Sequence, residues 1–318
     1  MYIRSLIGLA LASVLAATPA ARAEDASIHI IVPLASGGGT DVLARVIAAK
    51  MRDSLGQNVI VENRAGAAGN IGAEAVYRAA PDGHTLLFTQ PGPLVVNQWL
   101  YARLGFKPER FEPIAMASSQ DIMLAVGPQV PASTLPELIA YAKANPGKLN
   151  YGSSGVGSAP HLAAELFQSM AGIKMEHVPY KGSSESMNAT LGGQVDLTFF
   201  AFSSALPHAR AGKLRALAVG GAKRNARLPD VPAIAEVLPG YNAASWTTMV
   251  APPGTPEAVA KRLAQAVQRA LKQPDVQRRL IDAGDEPVFM TRQEMDDYLE
   301  QERKRWQEVI QAVGIQAE

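Results

Sequence analysis

Two stretches of the chain carry residues whose types and spacing suit anion binding. The first is "IIVPLASGGGTDVLAR", Ile30–Arg45, and the second is "YGSSGVGSAPHLAAE", Tyr151–Glu165. Each runs from a strand-like segment through a turn of small residues into a helix start. A helix leaves its first N–H groups without intrahelical acceptors, and its dipole places partial positive charge there. In the first stretch the backbone N–H groups of Gly37, Gly38, Gly39 and Thr40 are the candidate donors, and glycine lets an anion approach the backbone closely. In the second, Ser153 and Ser154 offer hydroxyls, Ser158 suits an N-cap, and Ala159 and Pro160 suit the first turn. The same patterns also serve plain tight βα turns whose serines cap local N–H groups. Two such loops facing each other would clamp a dianion, or one carboxylate and a second polar end.

Enzymatic readings find less support. "GSSGVG" is not the G-x-S-x-G elbow, because Val156 stands where the second glycine belongs. "GVGSAP" and "GGGTDV" both fail the dinucleotide fingerprint at its last glycine, and no lysine completes a P-loop. An esterase acting through Ser153 or Ser154 lacks a recognisable base arrangement. The histidines are His29, His84, His161, His177 and His208, and none forms a metal motif. No cofactor and no metal are therefore expected. His161, in the first turn of the second helix, is a candidate ligand contact or a buried hydrogen-bonded ring. Asp41 and Arg45 are spaced i,i+4 and suit a pair. Arg64 and Lys181 suit either an anion contact or a solvated, capping role.

These residues need a scaffold of alternating strands and helices, the pattern of an α/β fold. Strands are expected over 27–34, 59–62, 85–89 and 122–126, and again in "LNYGSS", "MEHVPY", "VDLTFFAF" and "LRALAVGG". Helices are expected over 40–55, stopped by Gly56, in "STLPELIAYAKANPGK" capped by Ser133 or Thr134, and in "SAPHLAAELFQSMAG" stopped by Gly172. Near the C-terminus, Val259, Leu263, Val267 and Leu271 form one apolar stripe on a helix expected to start with Thr255 as cap and Pro256 at its first position. "TRQE" at 291–294 is a capping box opening a last helix with Met295, Tyr298, Leu299, Trp306 and Ile310 on its buried face. No Pro/Gly/Ser-rich linker divides the chain. Two crossings between lobes, near Ser118–Asp121 and Ser245–Val250, would give one lobe of 24–120 plus 248–318 and another of 121–247.

Composition narrows the setting. With 318 residues, 47% hydrophobic and 19% charged, the chain suits two ordinary globular units. Residues 1–23 read as a secretory signal: Arg4, an apolar run, and "ARA" as the cleavage site. A periplasmic protein with no membrane-spanning segment follows from that reading. The chain has no cysteine, which excludes disulfides, thiolate metal sites and a cysteine-linked lipid anchor. Removal of residues 1–23 takes away two arginines and no acid, so the net charge moves from +1 to −1. A near-neutral protein has no field to draw nucleic acid or an anionic membrane, so an anion must be held by local donors.

"VPLASGGGTDVLAR", "VENRAGAAGNIGAE", "APDGHTLLF", "GSAPHLAAELF", "VPYKGSSE", "GGQVDLTF", "AGKLRALAV" and "RLPDVPAIAEVLPGY" follow one another in an order that resembles the periplasmic solute-binding proteins of tripartite tricarboxylate transporters, the Bordetella uptake gene (Bug) family. The resemblance implies a two-lobed binding protein fold, type II-like, with two parallel or mixed sheets flanked by helices and a hinge of two crossings. It implies a monomer that closes on a carboxylate and delivers it to inner-membrane permease subunits. It places Leu34–Asp41, including Leu34, Ala35, Ser36, Gly37, Gly38, Thr40 and Asp41, and Ser153–His161 at the ligand. Ala35 replaces a proline usual in the first loop, and Ser36 adds a hydroxyl. Gln90 and Pro91 replace a smaller polar loop. Phe200 and Ala201 stand where members that bind amino acids are expected to carry an acid, which argues against an amino-acid ligand. Phe200 and Phe202 then suggest an apolar or aromatic cleft wall, or simply core. A mono- or dicarboxylate with an apolar or aromatic body is the expected ligand. A carboxylate-sensing input module for a membrane histidine kinase is the alternative with the same fold, and a secreted esterase is a more distant one.

Overall fold

The computed structural model describes residues 27–180 and 182–314; the secretory segment expected over 1–23 and Lys181 lie outside the described residues. Two sheets organise the chain. The first contains β1 (Ile28–Val32), β2 (Val59–Asn63), β3 (Thr85–Thr89), β4 (Glu112–Gln120), β10 (Ser245–Ala251) and β11 (Asp285–Pro287), in the order β11-β4-β10-β3-β1-β2. The second contains β5 (Ile122–Val126), β6 (Asn150–Ser153), β7 (Glu176–Pro179), β8 (Leu197–Ala201) and β9 (Arg215–Val219), in the order β7-β6-β8-β5-β9. Both are mixed. β1 pairs in parallel with β2 and β3, while β10 runs antiparallel between β3 and β4. β6 pairs in parallel with β7 and β8, while β5 runs antiparallel between β8 and β9.

Ten helices among the described residues flank the sheets. They are α1 (Gly39–Leu55), α2 (Asn70–Tyr77), α3 (Asn97–Leu100), α4 (Leu135–Ala144), α5 (Ala159–Ala171), α6 (Ser183–Leu191), α7 (Phe202–Arg210), α8 (Glu257–Leu271), α9 (Pro274–Ala283) and α10 (Arg292–Val313). β1 ends at Val32 because Pro33 has no N–H to continue a ladder. α1 stops where Gly56 turns left-handed, at φ 67°. Thr134 caps α4 by accepting from the Glu137 N–H, and the Thr291/Glu294 capping box opens α10. α8 begins one position later than the sequence pattern suggests. Pro256 is its N-cap, and the Thr255 hydroxyl instead donates to the Pro252 carbonyl at 2.8 Å.

The chain leaves the first sheet at Gln120 and enters the second at Ile122, with Asp121 alone between them. It returns before Ser245, because Ser245, Trp246 and Thr247 already pair with β4. The return expected near Ser245–Val250 is complete by Ser245, and 245–247 belong with the first sheet. Asp121 staples the two crossings together: its Oδ1 accepts from the N–H groups of Ile122 and Gly221, both at 2.8 Å. Burial pushes this carboxyl up to about 6, against the opposing pull of Asn225 and the two backbone donors. α10 adds a third link. It packs on β4 and α3 and also on α5, so Trp306, Ile310 and Leu299 share one continuous apolar core with Leu162 and Ala163.

Candidate functional site

A cleft of about 380 Å³ lies between the sheets. From the first sheet's side it is walled by Leu34, Ala68, Gln90, Pro91, Gly92, Val96, Asn97, Gln120 and Trp306. From the second it is walled by Ile122, Ser154, Gly157, Ser158, Ala159, Pro160, Leu162, Ser183 and Ala201, and the returning crossover adds Ala243, Ala244 and Ser245. None of these lining residues carries a charge. An anion in this cleft would be met by neutral donors and helix N-termini. The start of α5 supplies the first such terminus, with Ser158, Ala159 and Pro160 at the wall. The start of α6 supplies a second, with Ser183 at the wall. Helix N-termini combine free N–H groups with a favourable dipole, and so hold anions without a formal positive charge.

Of the residues singled out in the sequence, Leu34, Gln90, Pro91, Ser154, Ser158 and Ala159 line the cleft. Ala35, Ser36, Gly37 and Gly38 form an exposed loop beside it. Thr40 is buried and accepts a hydrogen bond from Gln90 Nε2 at 3.0 Å. The α1 loop is therefore tied to the β3 loop at the cleft.

Asp41 corrects a sequence expectation. It is 3% exposed, and its carboxylate is consumed by the scaffold. Oδ2 accepts from the Gly37 N–H at 2.9 Å and from Arg45 Nε at 3.1 Å, and Oδ1 accepts from Asn63 Nδ2 at 3.0 Å. Those bonds, the Arg45 one first, hold the carboxyl below its ordinary value. Asp41 thus shapes the glycine loop and takes one of its N–H groups, rather than touching a ligand. Replacing Asp41 by alanine is expected to cost about 1–3 kcal/mol, the usual penalty for stranding partly buried polar partners. The shift in urea midpoint measures it, and an unchanged midpoint contradicts this role.

Ser153 is corrected in the same way. It is fully buried, with its hydroxyl 3.1 Å from both the N–H and the carbonyl of Gly155. It also lies 2.7 Å from His177 Nε2. That is the serine–histidine contact an esterase needs, but the serine faces no open cavity and the His177 ring is stacked on Tyr151 and His161. Burial pushes His177 down from its ordinary value. The pair holds the turn at the end of β6.

His161 is a buried, hydrogen-bonded ring, not a cleft contact. It is 4% exposed, its ring centroid lies 4.1 Å from that of His177, and its Nδ1 accepts from the Gly157 N–H at 3.0 Å. That bond fixes the tautomer with the proton on Nε2, which faces Glu165 Oε1 at 3.8 Å. Burial and the neighbouring His177 push His161 down to about 4. Tyr151 and Gln168 both donate to Glu165 Oε1. This stack sits directly behind Gly157 and Ser158 and holds the second loop in place.

The two phenylalanines separate. Phe202 is fully buried among Met123, Ala205 and Leu206, so it belongs to the core and the cleft-wall expectation is withdrawn for it. Phe200, 3% exposed, borders a smaller cavity beside the cleft. At the position after it, Ala201 faces the cleft itself. Ala201 also borders the smaller cavity, so the two residues differ only in that Phe200 does not reach the cleft.

Several cleft residues carried no sequence signal. Trp306 reads as buried helix face, yet α10 crosses to the cleft. Ala67 and Ala68 adopt left-handed backbone at φ 46° and 50°, a conformation costly for alanine. Asn97 Nδ2 holds that turn by donating to the Ala68 carbonyl at 3.1 Å. "PGPLVVN" forms a π-helical turn over Gly92–Val96 with the Asn97 N–H bonded to the Gly92 carbonyl. Among the described residues no group of histidines and acids is arranged to hold a metal, and no helix is long and apolar enough to cross a membrane.

A family model described as the tripartite tricarboxylate transporter family receptor matches residues 43–315. Protein BugT of Bordetella pertussis is 37% identical over 290 residues, covering 90% of this chain and 89% of that protein. An R. palustris protein solved with adipate is 37% identical with a TM-score of 0.76, covering 91% of this chain and 98% of that one. MatC from Rhodopseudomonas palustris, solved with bound malate, is 34% identical with a TM-score of 0.73, covering 89% and 98%. The family model is that of a receptor, and the periplasmic binding protein BugD is 33% identical with a TM-score of 0.73, covering 92% of this chain and 99% of that one.

Proposed function

The chain belongs to the tripartite tricarboxylate transporter receptor family, and we propose that it captures an organic carboxylate in the periplasm and presents it to membrane permease subunits. The single observation that carries the reading is the uncharged cleft with the α5 N-terminus at its wall. A carboxylate is the anion such a site suits, because backbone donors and hydroxyls satisfy its oxygens while apolar walls take its body. Leu34, Gln90, Pro91, Ser154, Ser158 and Ala159 are the proposed contacts. The exposed loop of Ala35–Gly38 would join them as the lobes close.

The ligand is a mono- or dicarboxylate with an apolar body. Among the described residues no acid lines the cleft, which disfavours an amino acid, whose ammonium would be left unpaired. Relatives solved with adipate and malate agree on a dicarboxylate, and adipate, whose body is a run of methylenes, agrees on the apolar body as well. Closure is a hinge motion, which a ligand drives only by contacting both lobes. The secretory reading of residues 1–23 supports the location.

A thermal-shift panel of aliphatic dicarboxylates, aromatic acids, citrate and acidic amino acids tests the reading. A ligand present at about 100 times its Kd stabilises by about 2.7 kcal/mol, a rise of a few degrees. Shifts confined to dicarboxylates or apolar-bodied acids are expected. Shifts with amino acids or citrate alone contradict the ligand class, and no shift with any acid contradicts carboxylate capture.

A further inference from the structure

Three amide side chains stand on the first-lobe wall of the cleft: Gln90 after β3, Asn97 at the start of α3 and Gln120 at the end of β4. An amide can turn either its NH2 donor or its oxygen acceptor to a ligand. All three spend the donor inside the protein. Gln90 Nε2 donates to Thr40 Oγ1 at 3.0 Å. Asn97 Nδ2 donates to the Ala68 carbonyl at 3.1 Å and to Asn70 Oδ1 at 2.6 Å. Gln120 Nε2 donates to Asp285 Oδ1 at 2.9 Å. A carbonyl and a carboxylate only accept, so Asn97 and Gln120 cannot turn the other way without losing these bonds.

The three amide oxygens accept no hydrogen bond from the described residues. None of them is among the fully buried atoms that lack a partner, so they stay open to whatever fills the cleft. Asn97 is 2% exposed, and an unpaired acceptor on so closed a side chain is rare unless something outside the protein satisfies it. The remaining side-chain donor on this wall, the Trp306 indole N–H, is spent on Glu302 Oε2 at 3.3 Å. The wall thus offers acceptors and apolar surface, and the Ala35–Gly38 loop lies beside it, not on it. The second-lobe wall has the opposite character, with the N–H groups of the α5 N-terminus and the hydroxyls of Ser154 and Ser183.

We infer that the ligand is a hydroxy monocarboxylate, with its carboxylate at the α5 N-terminus and its far hydroxyl donating to the amide oxygens of Gln90, Asn97 and Gln120. This rests on the reading of the cleft as a carboxylate site and narrows it. A second carboxylate at the far end would meet oxygen lone pairs and no side-chain donor, and a methyl end would leave the acceptors without water or partner. An ammonium is a donor too, but no acid among the described residues lines the cleft to balance it. A site built to hydrogen-bond a hydroxyl rejects the analogue that lacks one. The three amides are therefore specificity-determining, and set this chain apart from the relatives solved with adipate and malate.

Calorimetric titration of the purified protein tests it with two matched sets: 4-hydroxybutanoate, butanoate and succinate, and 6-hydroxyhexanoate, hexanoate and adipate. In at least one set the hydroxy acid is expected to bind about tenfold or more tighter than both its methyl-ended and its carboxylate-ended counterpart. Gln90→Met and Gln120→Met keep the length of each side chain and remove its amide oxygen. At least one of them is expected to cut the ratio of hydroxy-acid to methyl-ended affinity threefold or more, and a ratio is insensitive to a general loss of folded protein. A wild-type protein that binds the diacid or the methyl-ended acid as well as the hydroxy acid in both sets overturns the inference and leaves the cleft reading standing. A hydroxyl preference that both variants retain in full overturns the role of the amides. Wild-type protein that binds none of the six acids overturns both readings.

Discussion

Glu302→Ala is expected to destabilise the protein by about 3–5 kcal/mol, the cost of removing one partner from a buried charge pair. Glu302 is 2% exposed on α10. Its Oε2 accepts from the indole N–H groups of Trp246 and Trp306, each at 3.3 Å, and its Oε1 pairs with Arg305. Burial pushes the Arg305 guanidinium down from its ordinary value. Removing the carboxylate therefore strands two indole donors and a largely buried cation at once. The residue also has a place in the architecture. Trp246 lies on β10 where the chain has just returned to the first sheet, and Trp306 lines the cleft. Glu302 thus locks the crossover strand to the helix that reaches over the cleft. The loss corresponds to a Tm lower by on the order of 10 °C for a chain of this size. Glu302→Gln keeps an acceptor for the indoles but loses the charge, and is expected to fall between wild type and alanine. A Glu302→Ala protein within about 1 kcal/mol of wild type rules out this keystone role.

Acidification is expected to weaken the loop of Gly155–Ser158 through His161. Its folded value, about 4, lies below the ordinary 6.5. The unfolded chain therefore binds the proton more readily between those two values. The stabilisation is complete above pH 6.5 and is lost as pH falls toward 4, in total by about 3 kcal/mol. The geometry explains the loss, because a protonated Nδ1 is a donor and cannot accept from the Gly157 N–H. His177, Glu165, Tyr151 and Ser153 are the polar groups around this ring. His177 is also held below its ordinary value, and shares the sign. Glu165 is held above its own by burial, and Asp121 and Asp285 are both raised to about 6 by burial. Those carboxyls have the opposite sign: their stabilisation is present at low pH and lost as pH rises through the folded value. The total curve therefore flattens, and the histidine contribution emerges only as a difference.

His161→Phe provides that difference. The variant keeps an aromatic ring but loses the acceptor, so at pH 7 it is expected to be about 1–3 kcal/mol less stable. The gap should close as pH falls to 4, where wild type has lost the same bond. Urea midpoints of both proteins across that range measure it. Two parallel curves would show that His161 has no part in the pH response. Because Gly157 and Ser158 are cleft residues, ligand affinity should follow the same profile.

The sequence by itself determined whatever is encoded by contiguous residues. The limits of α1 follow from Pro33, the glycine turn and Gly56. The Thr291–Glu294 box starts α10, and the two small-residue βα loops mark where strands give way to helix N-termini. Each rests on local backbone geometry, so each is legible without knowing the neighbours. The order of the motifs likewise identified the two-lobed fold. Only the tertiary structure decided which loop atoms remain available. Asp41 and Ser153 lie in the right loops, but their side chains are spent on Gly37 and Gly155. Phe202, which the sequence left as either cleft wall or core, is core because it packs among Met123, Ala205 and Leu206. Trp306 reads as core on its helical face, and reaches the cleft only because α10 packs across from β4 to α5. Whether a polar atom finds a partner depends on residues far away in the chain, and local pattern holds no record of them.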